Sequence, residues 1–165
     1  LLDNAVHDLK GESRREPLEP EINASMSSGF PETYIESVEQ RLTLYRRLSR
    51  LSQVSEIADM KKELVDRYGK LPKEAENMLL KIMLRVFAIK AGVKRLDITP
   101  DSLTLSFSPD HLNMPLDRLA NCFAGLAPHR FLKKDSVRFN LGRKRVNISP
   151  ALAQTKSILK AVIKG

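Results

Sequence analysis

The sequence is poor in the residues that chemistry most often needs. A single cysteine, Cys122, leaves no partner for an internal disulfide and no pair to begin a zinc site. Among its apolar neighbours Leu119 and Phe123 it reads as a small buried hydrophobe rather than a nucleophile. There are only seven glycines. None precedes a Lys-Ser or Lys-Thr pair and no two have dinucleotide-loop spacing, so a phosphate-cradling loop is excluded. His7, His111 and His129 stand alone, with no second histidine four residues away, and read as surface or turn residues. No apolar run exceeds four residues, far short of a bilayer span. No metal, cofactor or catalytic constellation is expected, and no membrane partner.

What remains is an ordinary globular composition, 42% hydrophobic and 29% charged over 165 residues. The chain opens Leu1-Leu2-Asp3-Asn4 without Met, a basic n-region or an apolar h-region, which predicts a piece of a longer intracellular, cytoplasmic protein. The net charge of +8 is uneven. Residues 1–50 sum to −2, residues 51–100 to +3 and residues 101–165 to +7. A basic C-terminal third reads first as a solvated surface and second as a face for nucleic acid or an acidic protein.

Hydrophobic spacing predicts an α+β fold, with N-terminal helices packed with small antiparallel β-hairpins and a C-terminal helix. Residues 1–11 read as a helix and residues 12–20 as a charged, proline-bearing linker. Residues 21–28 alternate weakly, as an edge strand does. A helical stretch opened by Pro31 carries the stripe Val38, Leu42, Tyr45, Leu48 and Leu51. A second helix carries Ile57, Met60, Leu64 and Tyr68 and stops at Gly69. A third, opened at Pro72, carries Ala75, Leu79, Ile82, Val86 and Ile89. Met78, Met83 and Phe87 widen its apolar face, which predicts the central core helix. After Gly92 the period falls to two. Leu96 and Ile98, a Thr99-Pro100-Asp101-Ser102 turn, then Leu103, Leu105 and Phe107 form a hairpin. A short helix over Leu116 to Leu126 and a second hairpin through Lys134-Asp135-Ser136 follow. A last helix is capped by Ser149 and turns Leu152, Leu159 and Val162 inward.

One pattern on the second helix stands out. Asp59, Glu63 and Asp66 are spaced four and three, so their carboxylates share one face, with Arg67 four residues after Glu63. The plain reading is a solvated face with one local ion pair. The functional reading is a docking face, on which Arg67 reaches a carboxylate of the partner. The rival surface is basic: Arg130, Lys133, Lys134, Arg138, Arg143, Lys144 and Arg145 cluster on and after the second hairpin, as phosphate contacts would require. Phe131 and Phe139 alternate there as core residues do, so they are poor stacking platforms.

The run Glu63-Leu64-Val65-Asp66-Arg67-Tyr68-Gly69-Lys70-Leu71-Pro72 resembles the E-L-x-D-R-[FY]-G-x-[LM]-P signature of the C-terminal domain of the bacterial transcription-repair coupling factor family. Upstream, Pro31 to Ile35 and Arg41-Leu42-Thr43-Leu44-Tyr45-Arg46-Arg47-Leu48 are similar to that family's P-x-x-[YF]-I and R-L-x-x-Y-[KR]-R segments. Residues 1–11 are similar to the last helix of its motor. The resemblance implies a preceding motor helix at 1–11, a linker at 12–20 and a C-terminal regulatory domain at 21–165. It implies a non-catalytic, autoinhibitory domain of an ATP-driven DNA translocase. That domain docks on an N-terminal repair-helicase-like domain of the same parent and hides the surface for the excision-repair damage-recognition ATPase. RNA polymerase and DNA are reached through the parent. Glu63, Asp66 and Arg67 are the positions that the family's clamp implies; Asp59 extends the stripe by spacing alone. A nucleic-acid-binding module remains the alternative.

Overall fold

The computed structural model describes residues 15–142 and 148–165. The expected helix over 1–11 and the basic residues Arg143, Lys144 and Arg145 lie outside the described residues. Residues 15–20 carry no regular structure.

Three helices follow a short strand, β1 (Glu21–Ala24): α1 (Val38–Ser49), α2 (Val54–Tyr68) and α3 (Lys73–Ala91). Then come β2 (Val93–Ile98), β3 (Ser102–Phe107), the single turn α4 (Leu119–Cys122), β4 (His129–Lys133), β5 (Ser136–Asn140) and α5 (Ser149–Lys164). The architecture is α+β. The two hairpins expected from alternation fuse, because β3 also pairs with β5 in antiparallel register, Thr104 opposite Arg138. β1 adds in parallel to the far side of β2, giving one mixed sheet of order β1-β2-β3-β5-β4. That parallel edge joins residues about seventy positions apart, beyond the reach of any local pattern.

α3 is central because it is apolar around most of its circumference. Ala75, Leu79, Ile82 and Val86 turn toward α1 and α2, where Leu44, Leu48, Ile57, Met60 and Leu64 complete one core. Leu84, Phe87, Ala88 and Ala91 turn toward the sheet and α5, where Leu96, Leu105, Phe107, Phe139 and Leu159 complete a second. Gly92 ends α3 in the left-handed conformation at φ 71°, in the position glycine favours. A Cβ there would lie 2.9 Å from the carbonyl oxygen of His111.

Four local expectations change. Pro31 begins a turn rather than a helix, and α1 starts at Val38, where the Ser37 hydroxyl accepts from the Gln40 N–H at 3.2 Å. The buried line of α1 is Leu44 and Leu48, while Val38 and Leu42 are 60% and 50% exposed. Val38 and Leu42 share Leu48's apolar character but lie on the side of α1 turned from α2 and α3. The helix expected over Leu116 to Leu126 contracts to a 3-10 turn at Leu116–Arg118 and the one turn of α4. On the second hairpin Phe139 is fully buried as expected, but Phe131 is 41% exposed because β4 is the sheet's edge.

Candidate interdomain interface

The charged face of α2 is built on an antiparallel pair of helices. The chain reverses through Arg50 to Gln53, and the Glu56 carboxylate accepts from the backbone N–H groups of Ser52 and Gln53 at 2.9 Å each. Those bonds favour the ionised form and hold the Glu56 carboxyl below its usual range. At the other end, the Tyr34 hydroxyl lies 3.0 Å from the carbonyls of both Leu64 and Gly69 and shares its one proton between them, which ties the end of α2 to the segment before α1. The Tyr68 hydroxyl reaches across to Gln40 of α1 at 3.0 Å.

Between these ties sits Glu63. Arg47 of α1 donates from Nη1 and Nη2 to the two carboxylate oxygens of Glu63 at 2.8 and 2.7 Å, a bidentate fork. Arg67, one turn further along α2, donates to Oε1 at 3.2 Å and lies 5.0 Å over the ring of Tyr68. Hydrogen bonding from Arg47, reinforced by both positive charges against a smaller opposing effect of burial, holds the Glu63 carboxyl down to about 2. The same pairing raises the Arg47 guanidinium further above its ordinary range.

The side chains of Asp59 and Asp66 are exposed and form no hydrogen bond or ion pair with any other described residue. The structure therefore separates the three stripe carboxylates into one engaged and two free. It also adds a residue that sequence spacing did not single out. Arg47 stood only as part of a family-like segment, and no periodicity within α2 reports a partner on α1. The face is alternating rather than uniformly negative, with the Asp59 and Asp66 carboxylates beside two half-exposed guanidiniums fixed on one carboxylate.

The basic residues of the second hairpin divide differently. Arg130 and Arg138 are directly opposed across β4 and β5, Lys133 lies opposite Ser136, and Lys134 is in the turn. All four are exposed. Among the described residues no group of three or more His, Cys, Asp or Glu side chains could hold a metal ion. No described helix is long and apolar enough to cross a membrane.

Residues 25–117 match the family model for the TRCF domain, which covers more than half of the chain and all of α1, α2 and α3. The chain belongs to the TRCF domain family. It is 37% identical over 106 residues to a transcription-repair-coupling factor of Myxococcus xanthus, covering 60% of this chain and 9% of that protein. It is 28% identical over 111 residues to the Bacillus subtilis transcription-repair-coupling factor, covering 67% of this chain and 9% of that protein. The chain thus spans about a tenth of the length of these relatives. Its fold matches the crystal structure of a C-terminal domain of transcription-repair coupling factor with a TM-score of 0.77, at 16% identity, over 92% of this chain and 96% of that one. The family match includes Asp59, Glu63, Asp66 and Arg67 and stops before the second hairpin.

Proposed function

We propose that this domain is a non-catalytic regulatory module of a cytoplasmic transcription-repair coupling factor. Residues 21–165 form the module, residues 12–20 its linker and residues 1–11 the end of the preceding motor. The charged face of α2 docks on an N-terminal repair-helicase-like domain of the same parent. Docked, it masks the surface for the excision-repair damage-recognition ATPase; released, it exposes that surface. RNA polymerase and DNA are engaged by the parent as a whole.

The observation that carries this reading is the Arg47–Glu63–Arg67 bridge flanked by Asp59 and Asp66, whose side chains are unpaired among the described residues. A guanidinium forked on a carboxylate has less rotamer freedom left to lose, so its remaining N–H groups are pre-organised for a second acceptor. Asp66 and Asp59 offer acceptors to basic groups. An autoinhibitory contact must be weak enough to yield to another ligand. About three exposed ion pairs at roughly 1 kcal/mol or less each give a closed state favoured by a few kcal/mol at most.

The test is capture of the damage-recognition ATPase by the full-length parent carrying Asp66→Arg. Reversal removes one attraction and adds a repulsion, so capture should rise about tenfold, the equivalent of roughly 1.4 kcal/mol. Asp66 has no side-chain partner among the described residues, so the isolated variant should melt as the wild type does. Capture unchanged from the weak wild-type level removes Asp66 from the contact.

A further inference from the structure

One face of the sheet is covered by α3 and α5, and among the described residues the other is open and polar. Strand register places its side chains in rows. Asn23, Asp97, Thr104, Arg138 and Arg130 form one, running from β1 to β4. At the β1–β2 end the charges are balanced: Arg95 donates to Asp97 at 3.0 Å and lies 3.8 Å from Glu21. At the β5–β4 end they are not. Arg130 and Arg138 face each other directly in the ladder, and neither has a carboxylate within ion-pair distance among the described residues.

Like charges directly opposed across two strands oppose pairing, and a sheet with no use for them loses nothing by replacing one. Here the pair is also set into shape. Both arginines line a shallow cavity of about 470 Å³ together with Asp101, Ser102, Pro128, His129, Phe139 and Asn140. Arg138 is steadied by the Ser102 hydroxyl at 3.4 Å, and the Asp101 carboxylate is engaged by the Thr99 hydroxyl at 2.7 Å. Lys133 projects from the same hairpin beyond them. The rings of this region lie on the opposite face, where Phe123 contacts His129, Phe131 and Phe139. The rings of His129 and Phe139 at the cavity's edge are engaged with Phe123 and with each other, so what the face offers a ligand is chiefly cations and hydrogen-bond donors. That combination suits a phosphodiester backbone held in a duplex and not splayed single-stranded bases.

We propose that the open sheet face around the opposed Arg130 and Arg138 binds the phosphate backbone of duplex DNA. This is independent of the docking reading: the residues lie on another element and outside the family match, and the assay needs no partner protein.

The experiment is fluorescence anisotropy of a labelled mixed-sequence DNA duplex with this chain across a salt series. Three phosphate contacts by Arg130, Arg138 and Lys133 give a slope of log affinity on log salt of about −2.7, an affinity loss of about fortyfold between roughly 50 and 200 mM salt. In the double variant Arg130→Ala/Arg138→Ala the slope should flatten to about −0.9 and the loss to about fourfold. Arg130→Lys/Arg138→Lys should keep the steep slope. Arg95→Ala, on the same face but already paired, should leave it unchanged. Thermal melting checks that each variant is folded. No duplex binding at low salt overturns the proposal, as does an unchanged slope in the double alanine variant. Tighter binding of the single strand, or inorganic phosphate competing as well as unlabelled duplex, overturns the assignment to a duplex backbone.

Discussion

Glu63→Gln isolates the bridge between α1 and α2. The change keeps the side chain's size and removes the charge that Arg47 and Arg67 share. A carboxyl held at about 2 in place of its ordinary 4.5 corresponds at face value to roughly 3 kcal/mol of stability. Water reduces that figure: a third of the Glu63 side chain and nearly half of each arginine side chain are exposed. With screening, one bidentate and one single pair contribute about 1–2 kcal/mol together. Because the folded-state pKa is depressed, the contribution is fully present above the unfolded value of 4.5 and is lost as pH falls toward about 2. Urea denaturation of wild type and variant should therefore differ by about 1–2 kcal/mol at pH 7, with at least half of the difference gone near pH 3. High salt should shrink the gap at pH 7 as well. A gap of only a few tenths at pH 7, or one that stays constant down to pH 3, refutes the idea that this bridge ties the helices together.

Two further substitutions probe the supports around that bridge. Tyr34→Phe removes the donor shared by the carbonyls of Leu64 and Gly69 while leaving the ring against Tyr68, and should lower the urea midpoint by the equivalent of about 1 kcal/mol. Gly92→Ala forces a Cβ into a left-handed position 2.9 Å from the His111 carbonyl and should cost about 1–3 kcal/mol in the same assay, whereas a Gly→Ala change at a compatible site stabilises.

Sequence periodicity served the helices in proportion to how one-sided they are. α2 buries Ile57, Met60 and Leu64 on one line, and its spacing of three and four was legible at once. α3 is apolar on two sides, and the breadth of that apolar surface was itself the sign of a central position. α1 was ambiguous for a physical reason. The stripe read from the sequence, Val38, Leu42, Tyr45, Leu48 and Leu51, overlaps a second apolar line through Leu44 and Leu48, and a hydrophobic count cannot choose between them. The choice falls to polar groups on the far side: Gln40 and Arg47 must face Tyr68 and Glu63, and that rotation leaves Val38 and Leu42 in water. The hairpins were legible from alternation, because turn chemistry lies within a few residues of both strands. Their fusion through β3 and β5, and the parallel addition of β1, depend on contacts that no turn specifies.

The same limit governs the charged face. Spacing placed Asp59, Glu63 and Asp66 on one side of a helix, yet spacing cannot distinguish a carboxylate waiting for a partner from one already satisfied. The Arg47 fork makes that distinction, and it changes what each substitution means under the docking proposal. Removing Asp66 deletes an acceptor offered to the partner domain and leaves the α1–α2 pair intact. Removing the Glu63 charge acts at one remove, by freeing two guanidiniums whose positions it sets. Arg47→Ala should therefore resemble Glu63→Gln in weakening both stability and docking, whereas Asp66→Arg should weaken docking alone. A uniformly negative strip would have made the Glu63 and Asp66 substitutions equivalent. An alternating face, with two cations tied to a single anion, requires a partner surface of mixed charge in matching register, which discriminates among partners more sharply than net charge can.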